Sequence, residues 1–184
     1  QPTGSQDQYG IRRATRTLNE ILWGMNLDID VAELAEASSL SRCLSEEQEE
    51  SALGFMLQRL HNQLREKGFS HELTMLAVSA AGSRPNQALK LLEAFQEVQG
   101  TDWFGGLVTS AVRVRNILQK TEGSDHILDV GLFSEEAERA LFEAIELLSP
   151  QVDKAVRAWD WNGLTQILSK LEPYVSAFFD KVLV

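Results

Sequence analysis

Ser45-Glu-Glu-Gln-Glu-Glu-Ser-Ala-Leu-Gly-Phe-Met-Leu-Gln-Arg-Leu-His-Asn-Gln-Leu-Arg-Glu-Lys-Gly68 spells out a helix from its cap to its stop. Ser45 and Gln48 have the spacing of a capping box, in which each side chain satisfies a backbone N–H that the helix leaves open. Leu53, Met56, Leu57, Leu60 and Leu64 follow at intervals of three and four and share one face. Gly68 suits the left-handed backbone that ends a helix. Glu46, Glu47, Glu49 and Glu50 crowd the end where the helix dipole favours negative charge. A solvated helix start accounts for them better than a cation site.

The same pattern runs outward in both directions. Ile11, Ala14, Leu18, Ile21, Leu22 and Met25 predict a helix from Ile11 to about Met25, after a turn-rich opening with Pro2, Gly4, Ser5 and Gly10. Asp28 or Asp30 caps a short helix with Val31, Leu34 and Ala35 inward. Ser70 starts another through Leu73, Leu76 and Ala77, closed by Gly82, and Pro85 opens one carrying Leu89, Leu92 and Phe95 that stops by Gly100. Asp102 caps the stretch from Trp103 to Lys120. Thr121 to Phe133 reads as a loop. Ser134 caps a helix with Leu141, Ile145 and Leu148 that Pro150 restarts or kinks, and Asn162-Gly163 turns the chain into a last helix carrying Pro173. No stretch alternates with period two for long enough to make a strand. The expected fold class is all-α, a helical bundle, divided into a leading segment 1–44 and a helical domain 45–184.

The formal net charge of −10 works against nucleic-acid binding, because phosphate affinity comes mostly from Lys and Arg. A locally basic face can still serve on an acidic protein. Apolar runs break well before the ~20 residues of a membrane span. Cys43 is the single cysteine, so no internal disulfide forms; it reads as a small buried residue or a bystander. The chain does not begin with Met, and its end, Phe178-Phe-Asp-Lys-Val-Leu-Val184, is apolar enough to expect that more chain follows.

Catalytic patterns are missing. His61, His71 and His126 make no metal-ligand spacing, and no phosphate loop, dinucleotide fingerprint or nucleophile elbow is present. Gly105-Gly106 reads as close helix packing. The basic residues are more suggestive. Arg113, Asn116 and Lys120 recur on one helix face, with Arg115 pointing elsewhere. Arg59, His61, Asn62 and Arg65 sit on another helix, and Arg12, Arg13 and Arg16 form a third patch. Arg, Asn and His donate to phosphates and to the edges of unstacked bases, and an exposed aromatic such as Trp103 would add a stacking surface. The competing reading is of solvated faces paired with the many Glu residues, which makes the chain a helical protein-interaction or subunit-assembly module without RNA contact.

Four motifs, in order along the chain, carry a family resemblance. They are Pro2-Thr-Gly-Ser-x-Asp-x-Tyr-x-Ile-Arg-Arg-Ala14, Phe55-x-Leu-x-Arg-Leu-x-x-x-Leu64, Arg113-Val-Arg-Asn-Ile-Leu118, and Leu171-Glu-Pro-Tyr-Val-Ser-Ala-Phe-Phe-Asp-Lys-Val182. Together they resemble the C-terminal region of the beta subunit of bacterial-type glycyl-tRNA synthetase. The chain departs from the family pattern at Val112, where a lysine is usual, and at Ser176, where an aspartate is usual. The resemblance implies a helical anticodon-binding domain of the type named for an Asp-Ala-Leu-Arg signature, truncated before its last helix or helices. It implies glycine-accepting tRNA, the alpha subunit or a fused catalytic region, and the rest of the beta subunit as partners. It also implies a cytoplasmic or, for a fused parent, plastid setting. Glycine, ATP and Mg²⁺ chemistry would belong to the alpha part, with no cofactor and no catalytic residue in this chain. Arg113, Asn116 and Lys120 are then the leading candidates for tRNA contact, with Arg59 and Arg65 behind them.

Overall fold

The structure, a computed structural model, describes residues 10–40, 45–120 and 128–182, without the side chains of residues 38–40, 49, 119 and 120. Pro2, Gly4 and Ser5 of the turn-rich opening, Cys43 and His126 lie outside it. Among the described residues there are eight α-helices, one short 3-10 turn and no strand, so the fold is all-α. The helices are α1 (Ile11–Gly24), α2 (Val31–Leu40), α3 (Glu46–Glu66), α4 (His71–Ala81), α5 (Pro85–Val98), α6 (Asp102–Lys120), α7 (Glu136–Arg157) and α8 (Trp161–Lys181). The chain forms two compact units, residues 1–93 and 94–184.

In the first unit α3 is the central helix, with α1, α2 and α4 packed on it. Its capping box is present: the Gln48 N–H donates to Ser45 Oγ at 3.4 Å and the Ser45 N–H to Gln48 Oε1 at 3.0 Å. Gly68 follows at φ +100°, and Gly82 ends α4 at φ +59°. Ser70 Oγ accepts from the Leu73 N–H, as the sequence predicts. Leu22, Val31, Leu60, Leu64, Ala77, Leu91 and Leu92 make the core.

Three faces differ from expectation. On α1 the buried stripe is Thr15, Asn19 and Leu22, while Ile11, Ile21 and Met25 are exposed. The polar residues are buried because their hydrogen bonds are met inside: Thr15 Oγ1 donates to the Ile11 carbonyl and Asn19 Nδ2 to Gln63 Oε1. On α2 Leu34 is exposed. On α4 Leu76 is exposed and Thr74 is fully buried, its hydroxyl donating to the Ser70 carbonyl at 2.6 Å. Asn26 closes α1 in the left-handed conformation, with the Leu27 N–H reaching back to the Leu22 carbonyl at 2.8 Å.

Asp30, just ahead of α2, gathers the loops. It accepts from the Ala32 N–H at 2.9 Å and from Ser83 Oγ, and Arg84 lies 3.5 Å from Asp28 and 3.7 Å from Asp30. Burial pushes the Asp30 carboxyl up. The Ser83 hydroxyl, the Ala32 and Glu33 backbone N–H groups and the Arg84 charge more than offset that, holding it below its ordinary range.

In the second unit α8 is central, with α6 and α7 packed on it. Phe95, Phe104, Ala144, Leu148, Trp161, Leu164 and Ile167 form the core. Asp102 stands in the first turn of α6, and Pro150 lies within α7 without ending it. Ser134 does not act as an acceptor cap. Instead the Glu138 carboxylate accepts from the Ser134 and Glu135 N–H groups, both at 2.8 Å. α7 ends on Trp159 at φ +55°, with the Asp160 N–H bonded to the Ala155 carbonyl. Asp160 then caps α8 through the Gly163 N–H at 2.9 Å, so Asn162 and Gly163 belong to the first turn of α8 rather than to a turn before it. The packing read from Gly105-Gly106 is seen at Gly106, where an added Cβ would run into the Glu172 side chain of α8.

Candidate functional site

Two basic surfaces stand out, one in each unit. In the second unit, α6 is exposed at every residue from Ala111 to Leu118. Arg113 lies with its guanidinium carbon 5.5 Å from the centroid of the Phe179 ring on α8, within reach of a cation–π contact. Arg113, Asn116, Ile117, Phe179 and Val182 line a shallow pocket of about 310 Å³. Two hydrogen-bonding side chains thus stand beside one aromatic ring. The Lys120 side chain lies outside the described residues. Arg115 is turned to a different, largely apolar groove with Leu107, Ala111, Val114, Leu118 and Val175. Trp103 is half-buried, edge-on to Phe104 at 5.7 Å, so Phe179 is the aromatic at this surface.

Below this surface, Ser176 Oγ donates to Glu172 Oε1 at 2.5 Å. That bond lies within α8, and it holds the carboxylate where a Cβ on Gly106 of α6 would stand.

In the first unit the structure brings together two patches that are far apart in sequence. Arg12, Arg13 and Arg16 of α1 face Arg59, Asn62 and Arg65 of α3 across a cleft of about 520 Å³, with Glu66 at its edge. Arg16 is paired on both sides, Nε with Glu20 at 3.1 Å and Nη1 with Glu66 at 2.7 Å. Glu66 and Glu20 raise its guanidinium further above its ordinary value. Arg59 lies over the Phe55 ring at 5.1 Å, and its Nε is buried without a hydrogen-bond partner. Arg13 and Arg65 are exposed. Sequence spacing shows each patch but not that the two helices face each other. The pairing that aligns them, Asn19 with Gln63, is polar and leaves no mark on hydropathy.

Among the described residues no group of three or more His, Cys, Asp or Glu is placed to hold a metal, and no helix is long and apolar enough to cross a membrane.

Residues 1–80 match the family model described as glycyl-tRNA synthetase beta subunit. The whole chain aligns with glycine–tRNA ligase beta subunits: at 32% identity with that of Aromatoleum aromaticum, covering 27% of the relative, and at 32% with that of Thiobacillus denitrificans, covering 26%. The Vibrio parahaemolyticus subunit is 30% identical over the whole chain, which covers 27% of it. The chain therefore spans about a quarter of the length of the curated relatives it matches. From its first residues to its last helix, this chain belongs to the glycyl-tRNA synthetase beta subunit family.

Proposed function

We propose that this chain is a tRNA-recognition part of a glycyl-tRNA synthetase beta subunit, acting by position rather than by chemistry. The observation that carries this reading is the α6 surface. Arg113 and Asn116 present hydrogen-bond donors beside the Phe179 ring, the combination suited to unstacked bases of an RNA loop. Bound there, the anticodon loop would be held so that the distant acceptor end reaches a catalytic centre outside this chain. Glycine, ATP and Mg²⁺ would be handled by the alpha subunit or a fused catalytic region, in the cytoplasm. The rest of the beta subunit would complete the surface.

The test is binding of a glycine-accepting tRNA and an unrelated tRNA to the chain and to its Arg113→Ala/Asn116→Ala variant. Preference for the glycine-accepting tRNA that the folded variant loses supports the reading. Equal binding of the two tRNAs by the parent chain, or preference untouched in the variant, sinks it. In that case the apolar groove of Leu107, Ala111, Val114, Leu118 and Val175 favours the second reading, a helical module that docks against protein.

A further inference from the structure

We propose that the arginine cleft between α1 and α3 is a second RNA site, one that grips the sugar-phosphate backbone without reading sequence. It rests on RNA being the partner of this chain, as proposed above, but not on the α6 surface. Residues 1–93 carry nine Lys and Arg against thirteen Asp and Glu, yet five of those nine are arginines lining one cleft. Assembling like charges on facing helices opposes folding. Among the described residues Glu66 is the carboxylate in the lining, and with Glu20 it pairs Arg16.

The residue type is informative too. The guanidinium fork matches phosphate oxygens two at a time, and it is weakly hydrated enough to serve in a recess. Arg59 is held ready: its face rests on Phe55 and its Nε is buried with no protein acceptor. Asn62 adds a neutral donor at the same wall. Every described residue lining the cleft is polar or charged. Among the described residues the lining holds no aromatic ring on which a base could stack, so the cleft suits phosphates rather than bases.

Arg13 and Arg65 are exposed, so Arg13→Gln/Arg65→Gln should leave the fold intact, checked by helical circular dichroism and melting temperature. The probes are a glycine-accepting tRNA, an unrelated tRNA and poly(U), each titrated from low to moderate salt, with polyglutamate as a control polyanion. The expected result is that the double variant loses affinity for all three RNAs by the same factor, about tenfold or more. Its slope of log affinity against log salt becomes shallower by about 1.5 to 2. Discrimination between the two tRNAs stays as it was. Arg13→Lys/Arg65→Lys should keep the slope while losing part of the affinity, since charge is retained and the fork is not. If the Gln variant unfolds, Arg65→Gln alone carries the test, with about half the slope change. Unchanged affinity and slope, a parent chain that binds none of the RNAs, or binding of polyglutamate in preference to poly(U) would overturn the proposal. Loss of discrimination in Arg113→Ala/Asn116→Ala concerns α6 alone, so the two readings fail by different measurements.

Discussion

Asn19 Nδ2 donates to Gln63 Oε1 at 2.6 Å, and both side chains are buried where α1 meets α3. Gln63 Nε2 donates onward to the Arg16 carbonyl at 3.1 Å. An amide pair thus sets the register of the two helices. Asn19→Ala leaves the Gln63 oxygen buried without its donor and should cost about 1–3 kcal/mol. Asn19→Leu combined with Gln63→Leu should recover much of that, because removing both partners avoids the unmet acceptor. Urea unfolding midpoints compare the three proteins. A single variant as stable as the parent would mean that the pair does not hold the helices.

Neighbouring residues on α1 should respond in opposite ways. Leu22 is 1% exposed and Ile21 47%. Leu22→Ala should lose about 2–5 kcal/mol through lost burial and a cavity. Ile21→Ala should stay within about 0.5 kcal/mol of the parent. The reverse order in thermal melts would put the other face of α1 inward.

Gly105 and Gly106 make a second contrasting pair. A Cβ on Gly105 meets nothing within 4 Å, so Gly105→Ala should stabilise by about 0.5–1 kcal/mol as a helix former replaces glycine. On Gly106 the same methyl group would displace the Glu172 carboxylate and disturb its hydrogen bond from Ser176. Gly106→Ala should therefore gain less than Gly105→Ala, or lose stability. Equal gains at both positions would show that Glu172 moves aside at no cost.

Acid should weaken the first unit through Asp30. Its folded carboxyl lies below its ordinary value of 3.8, so its contribution is complete above that pH. The contribution is lost as pH falls from there through the lower folded value. Asp30→Asn should be less stable than the parent at neutral pH, and the gap should narrow in that acidic range. Urea titrations from pH 6 downward would show the convergence. Parallel curves would remove Asp30 as the source.

The helices were legible because their ends are written locally. The Ser45–Gln48 box, the Ser70 cap and the stops at Gly68 and Gly82 each depend on residues a turn apart, and the structure has all four. The inward face of α1 was not legible. Thr15 and Asn19 are buried by virtue of hydrogen bonds, one of them to a residue 44 positions away, and hydropathy scores both as outward. The candidate site divides the same way. Arg113 and Asn116 share a face by simple periodicity, whereas Phe179 beneath Arg113 and the meeting of α1 and α3 arginines depend on helix pairings that spacing does not encode.

Glu66 gives the arginine cleft a resident counter-ion. With Oε2 at 2.7 Å from Arg16 Nη1, it offsets part of the repulsion between α1 and α3 whenever the cleft is empty. It also competes with any anion that enters. A lone small anion gains little by exchanging places with a carboxylate already tethered there. A polyanion that meets several guanidinium groups at once can leave Glu66 in place and still bind. In the RNA role proposed for it, the cleft would thereby favour linked charges over single small anions.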